Sequence, residues 1–146
     1  MMVYKMQKSI SQILDDYKLR NTPCRSSVIS YFLKHDFAIA HADLETELKD
    51  YFDRVTLYRT LKSFLEKGLI HKVIDNEGSP KYALCNNHHC SKNHHEHNHV
   101  HFKCNSCGHT TCLEHIFIPL PNLPKGYSVA ESNLLITGVC DKCEVV

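Results

Sequence analysis

The chain has 146 residues, of which 42% are hydrophobic and 23% charged, and a formal net charge of +1. That composition fits one globular domain or two very small ones, and it excludes collagen-like and intrinsically disordered classes. No apolar run approaches the roughly 18 residues of a membrane span. The opening MMVYKMQKSISQILDD also lacks a signal peptide's apolar middle and small-residue cleavage site. A cytoplasmic location with no membrane partner is expected.

The first elements read as helices. Ile10, Ile13, Leu14 and Tyr17 recur at helical spacing. Thr22-Pro23 is an N-cap and first-turn pair ahead of a second helix carrying Val28, Ile29, Tyr31, Phe32 and Leu33. A short helix from His41 to about Lys49 presents Leu44 and Leu48. A fourth, RVTLYRTLKSFLEK, starts after Asp53 as cap and stops at Gly68. Its apolar set is Val55, Leu57, Leu61, Phe64 and Leu65. Two β-prone runs, LIHKVID and PKYALC, then flank the Gly-containing turn NEGS and predict a hairpin.

Helices followed by a two-stranded hairpin is the order of a winged helix-turn-helix, in which the helix before the wing enters the DNA major groove. Arg54, Thr56, Tyr58, Arg59, Lys62 and Ser63 occupy the polar face of that helix. Arginine reads guanine edges, while threonine or aromatic carbons touch thymine methyl groups. Arg20, Arg25 and Lys18 are placed to contact phosphate. An ordinary solvated helix face would carry similar residues; the order of elements is what points to DNA.

The second half differs in kind. Of 8 Cys and 12 His, seven Cys and nine His follow Ala83. In a reducing compartment that load reads as metal binding before disulfides. Cys104-x-x-Cys107 and Cys140-x-x-Cys143 are two thiolate knuckles, together the donor set of a closed structural zinc site. The redox reading of such a pair needs a thioredoxin-like βαβ context, which the sequence lacks. Strands must bring the two knuckles together, and NLLITGV leads into the second.

Between Cys85 and Cys104 lie His88, His89, His94, His95, His97, His99 and His101. The alternation in HNHVHF places His97, His99 and His101 on one face of a strand. His99 and His101 are expected in a defined site, and the earlier histidines fit a loose metal-scavenging loop. His71, Cys85 and Cys112 are groups that could complete the site; a surface histidine and two buried thiols would look the same. Cys24, within an apolar helix pattern, is expected to be a buried free thiol. Spacing alone does not place Cys90, His109 or His115. PLPNLP cannot be a regular helix, because prolines lack amide donors.

From about Leu19 to Cys143 this order of features resembles the ferric uptake regulator superfamily of metal-responsive repressors. The likeness rests on LRNTPCR, on VTLYRTLKSFLEKGLI, on the His-rich stretch running into HFKCNSCG, and on GVCDKC. It implies an α+β homodimer. A winged helix-turn-helix would span residues 1–84, a His-rich hinge 85–101, and a small α/β dimerisation domain with a four-cysteine zinc site 102–146. It further implies that Tyr58 and Arg59 are the DNA-contacting pair on a palindromic, A·T-rich operator in double-stranded DNA, and that Arg20 lies near the minor groove. Cys104, Cys107, Cys140 and Cys143 match the structural zinc ligands.

Within that superfamily, the iron-sensing branch carries a wing Glu where this chain has Ala83, and a later acidic ligand where it has Cys112. HKV and YALC instead look like the zinc uptake regulator branch. That likeness makes His71 and Cys85 the wing-side ligands and His99 and His101 the hinge ligands of a regulatory Zn²⁺, with Cys112 or His97 as substitutes. Thiolates with imidazoles favour Zn²⁺ over Fe²⁺; Fe²⁺ is the alternative. Asn98, Val100 and Ser132 stand where some members have ligands of a third site, so that site is not expected in its usual form. The dimer-domain helix looks shortened to PNLPKG. Two other classes compete. A zinc buffer would leave the winged half without purpose, and a zinc hydrolase would need a base arrangement such as H-E-x-x-H, which is missing.

Overall fold

The computed structural model describes residues 8–84, 99–130 and 132–144. Local chemistry sets the first half. Helix α1 (Ile10–Asp16) opens with a capping box between Ser9 and Gln12. Helix α2 (Pro23–Lys34) opens on Thr22, whose hydroxyl accepts from the Arg25 N–H. Helix α3 spans His41–Leu48. Helix α4 (Arg54–Lys67) opens on Asp53, whose carboxylate accepts from the Thr56 N–H at 2.7 Å. It ends at Gly68, which adopts φ 78°, a left-handed conformation that costs side-chain-bearing residues energy.

The hairpin is β2 (Ile70–Val73) with β3 (Lys81–Leu84). A two-residue strand, β1 (Ile39–Ala40), pairs antiparallel with the other edge of β3. FAIA is too short to display alternation, which hides this strand from a reading of the sequence. Leu14, Val28, Ile29, Leu44, Leu57 and Phe64 meet in one core, so the helices are held by burying a common apolar face. Cys24 belongs to that core as a free thiol. Val55 does not: it is 56% exposed, against the expectation that it belongs to the apolar set.

The second half is a three-stranded sheet of order β5-β4-β6. Strand β4 (His99–Cys104) pairs antiparallel with β5 (Thr110–Phe117) across the first Cys knuckle and parallel with β6 (Leu135–Gly138). TTCLEHIF mixes Cys, Glu and His, and this masks the strand period of β5 in the sequence. Gly138 lies against Phe102, whose ring would sit 3.2 Å from an added Cβ. This close approach favours glycine just ahead of the second knuckle. The proline-broken stretch 118–124 is not helical. No described helix is long and apolar enough to cross a membrane.

Candidate metal centres and nucleic-acid interface

The Cys104, Cys107, Cys140 and Cys143 sulfurs lie within 4.8 Å of one another. Strand pairing explains the meeting. The parallel register puts Cys104 opposite Gly138, and the Asn105 N–H donates to the Gly138 carbonyl at 2.7 Å, so the exit of β6 delivers the second knuckle to the first. The Cys104 sulfur accepts from the Cys107 and Cys140 N–H groups. These backbone donors stabilise a thiolate and draw the Cys104 thiol down to about 6. Cys143 moves the other way, to about 12, chiefly because it shares a hydrogen bond with the Cys140 sulfur. Four crowded sulfurs cannot all be anionic without a cation. A tetrahedron of 2.3 Å metal–sulfur bonds has edges of about 3.8 Å, and the Cys107 and Cys140 sulfurs are 4.0 Å apart. The donor set fits a structural zinc ion.

A second cluster joins the two halves. His71 on β2, His101 on β4 and Cys112 on β5 place one ligand atom each within 4.8 Å. His101 and Cys112 face each other across the β4–β5 ladder. His71 Nε2 lies 3.4 Å from the Cys112 sulfur, and the two imidazole rings are 6.1 Å apart. Both histidines are buried. Burial lowers the His101 pKa, partly offset by Asn133, and favours the neutral imidazole that a metal requires. Asn133 Oδ1 sits 3.3 Å from His101 Nδ1. A proton on Nδ1 donated to that oxygen leaves Nε2 for a metal. Asn133 has no signature in the sequence, because it acts only through its neighbour. Cys85 and His97 lie outside the described residues, and of His99 only its place at the start of β4 is described.

Beside this cluster is an ionic network with no signal in the sequence. Asp75, after β2, lies within 2.7 Å of Lys81 Nζ on β3 and 3.6 Å of Lys103 Nζ on β4. The Thr110 hydroxyl on β5 donates to Asp75 at 2.9 Å. Glu77 pairs with both lysines. The Thr110 carbonyl in turn accepts from the Ala38 N–H at 2.7 Å. Phe37 stacks on His109 at 3.6 Å, and Lys142 pairs with Asp36. The winged half therefore touches the C-terminal sheet through its wing and through the segment before β1.

Helix α4 presents the residues expected to face DNA. Arg54, Thr56, Tyr58, Arg59 and Lys62 are all exposed, and Ser63 is half-buried. Arg54 reaches back to Glu45 on α3 at 3.7 Å. Arg20 is exposed at the end of the α1–α2 connection. The Arg25 guanidinium donates to the Arg20 carbonyl and to Ser63, so part of it is engaged within the protein.

The family model of the ferric uptake regulators matches residues 16–118. No curated protein matches the chain by sequence. Among solved structures, a zinc uptake regulator complexed with zinc and DNA is similar over 91% of this chain and 89% of that one, at 23% identity and a TM-score of 0.60. A zinc-bound manganese uptake regulator is similar over 91% of this chain and 99% of that one, at 17% identity and a TM-score of 0.61. The Vibrio cholerae ferric uptake regulator is similar over 89% of this chain and 98% of that one, at 20% identity and a TM-score of 0.56. At these identities the likeness is one of fold. The family match takes in α4, the wing and all three residues of the interdomain cluster, and the chain belongs to the ferric uptake regulator family of metal-responsive, DNA-binding transcription regulators.

Proposed function

We propose that this protein is a zinc-responsive repressor of metal uptake genes that binds an A·T-rich palindromic operator as a homodimer. The observation that carries the reading is the His71–His101–Cys112 cluster, which draws its donors from the wing strand and from the C-terminal sheet. Two imidazoles and a thiol suit Zn²⁺ better than the hard oxygen donors typical of Mn²⁺ or Fe²⁺ sites. Cys85 and His99 are proposed as further ligands. In this reading residues 1–84 read DNA, 85–101 form the hinge and 102–146 dimerise, with the four-cysteine site holding structural zinc.

His71 on β2 and His101 and Cys112 on the β4–β5 ladder would hold the ion, which would cross-link the two. His71 carries the wing, and with it α4 through Gly68 and Leu69. His101 and Cys112 are fixed by strand pairing, and Asn133 orients His101. Without the cross-link, the paired recognition helices adopt many relative positions, only a fraction of the population matches the operator, and apparent affinity falls by that fraction. The usual coupling in such switches is about 1–3 kcal/mol, roughly 5- to 150-fold.

His71→Ala is expected to bind the operator equally with and without zinc, while keeping the four-cysteine zinc and the dimer. The check is to select the operator from random duplexes at buffered free zinc, then titrate wild type and variant against it. Zinc stimulation surviving in His71→Ala would overturn the assignment. Stimulation of wild type by Fe²⁺ but not Zn²⁺ would make the protein an iron sensor. Arg59→Ala should weaken operator binding by about 1–3 kcal/mol, the range for one base-reading arginine, with zinc content unchanged. Gel-shift titration beside metal analysis tests this, and unaltered affinity would remove Arg59 from the interface.

A further inference from the structure

We infer that Val55 reads a thymine C5-methyl group in the operator and sets part of its sequence preference. This rests on the reading of α4 as the recognition helix.

The buried face of α4 is Leu57, Thr60, Leu61 and Phe64. At about 100° per residue, Val55 points almost diametrically away from that face. Arg59, one turn further along, and Lys62, two turns along, flank it on either side, and both are exposed. Tyr58, 59% exposed, lies beside it. Val55 is therefore an exposed apolar side chain at the N-terminal end of a solvent-facing stripe that continues through Arg59, Lys62 and Glu66. It makes no contribution to the core around Leu57 and Phe64.

A recognition helix enters the major groove with its N-terminal residues against the base edges, and Val55 lies in that part of the helix. The cations on either side would hold the helix near phosphates, but a valine offers no hydrogen bond to any base. Its one favourable partner on a base edge in that groove is the thymine methyl. A cytosine amino group or a guanine carbonyl oxygen facing Val55 would lose water without gaining a hydrogen bond. The same side chain thus favours thymine and disfavours G·C pairs at its step.

The test separates the methyl group from the rest of the base. The operator duplex is made with deoxyuridine replacing one thymine at a time, and zinc-loaded full-length protein is titrated against each. Wild type should lose about fourfold in affinity at the contacted thymine, the value of one buried methyl group. Val55→Ala should bind thymine and deoxyuridine duplexes alike at that step. It should keep the wild-type penalty at every other thymine. Because Val55 is exposed, the variant should unfold at the wild-type temperature, which calorimetry checks. If no thymine shows a penalty that Val55→Ala abolishes, the inference fails while the recognition helix stands. If wild type binds no selected duplex at all, the DNA-reading assignment of α4 fails with it.

Discussion

Cys104→Ser is expected to release a zinc ion from each chain and to unfold the C-terminal sheet. Cys104 ends β4, the central strand of that sheet, and is almost fully buried. Among the described residues of this half, Val100 and Cys104 are the only buried hydrophobic ones. So few buried apolar side chains offer little to offset the conformational entropy of three strands and two knuckles. A zinc ion held by the sulfur cluster would supply what the core lacks, since structural zinc contributes about 10–16 kcal/mol in zinc-finger peptides. The serine oxygen is a poorer zinc ligand and would leave the Cys107 and Cys140 N–H groups facing a weaker acceptor. Metal analysis, circular dichroism and sedimentation should report loss of zinc, of strand signal and of the dimer. Cys112→Ser should leave all three intact and remove only the zinc dependence of DNA binding. Identical behaviour of the two variants would contradict the division into a structural and a sensing centre.

What the sequence makes legible is set by local chemistry. Thr22-Pro23, Asp53 and Gly68 announce helix boundaries because a cap needs only its own next few residues. Each C-x-x-C pair announces its knuckle for the same reason. Joining the knuckles needs β6, and NLLITGV carries enough β-branched character to be read. The His71–His101–Cys112 cluster is different. His71 and Cys112 are 41 positions apart, and only family resemblance singles them out from the many histidines and cysteines. Val55 misleads only if helical phase is ignored: two residues from Leu57, it falls about 200° round the helix and so on the opposite face. Asp75, Lys81 and Lys103 look like ordinary solvated charges. Nothing in their spacing shows that β4 brings Lys103 to the wing turn.

That network gives the second large effect. Asp75→Asn is expected to destabilise the protein by about 3 kcal/mol, the lower end for breaking a buried ion pair. The Asp75 side chain has no exposed surface, and those of Lys81 and Lys103 are only 10% and 7% exposed. Removing the carboxylate leaves two buried ammonium groups with the half-exposed Glu77 as their shared counter-charge. Burial pushes the Asp75 carboxyl up, but hydrogen bonds from Lys81, the Glu77 N–H and Thr110 more than reverse this and hold it at about 2. A carboxyl lowered in the folded state stabilises at every pH above its unfolded value, near 4, and loses that contribution as pH falls towards 2. Urea unfolding should therefore show the full gap between wild type and Asp75→Asn at pH 7, and a gap that closes between about pH 4 and pH 2. A gap independent of pH would mean that the substitution acts through packing and not through charge. The same variant should also weaken zinc-stimulated operator binding. Lys103 lies two residues from His101 on β4, and Thr110 two residues from Cys112 on β5, so the network clasps the wing to the very strands that present the proposed metal ligands.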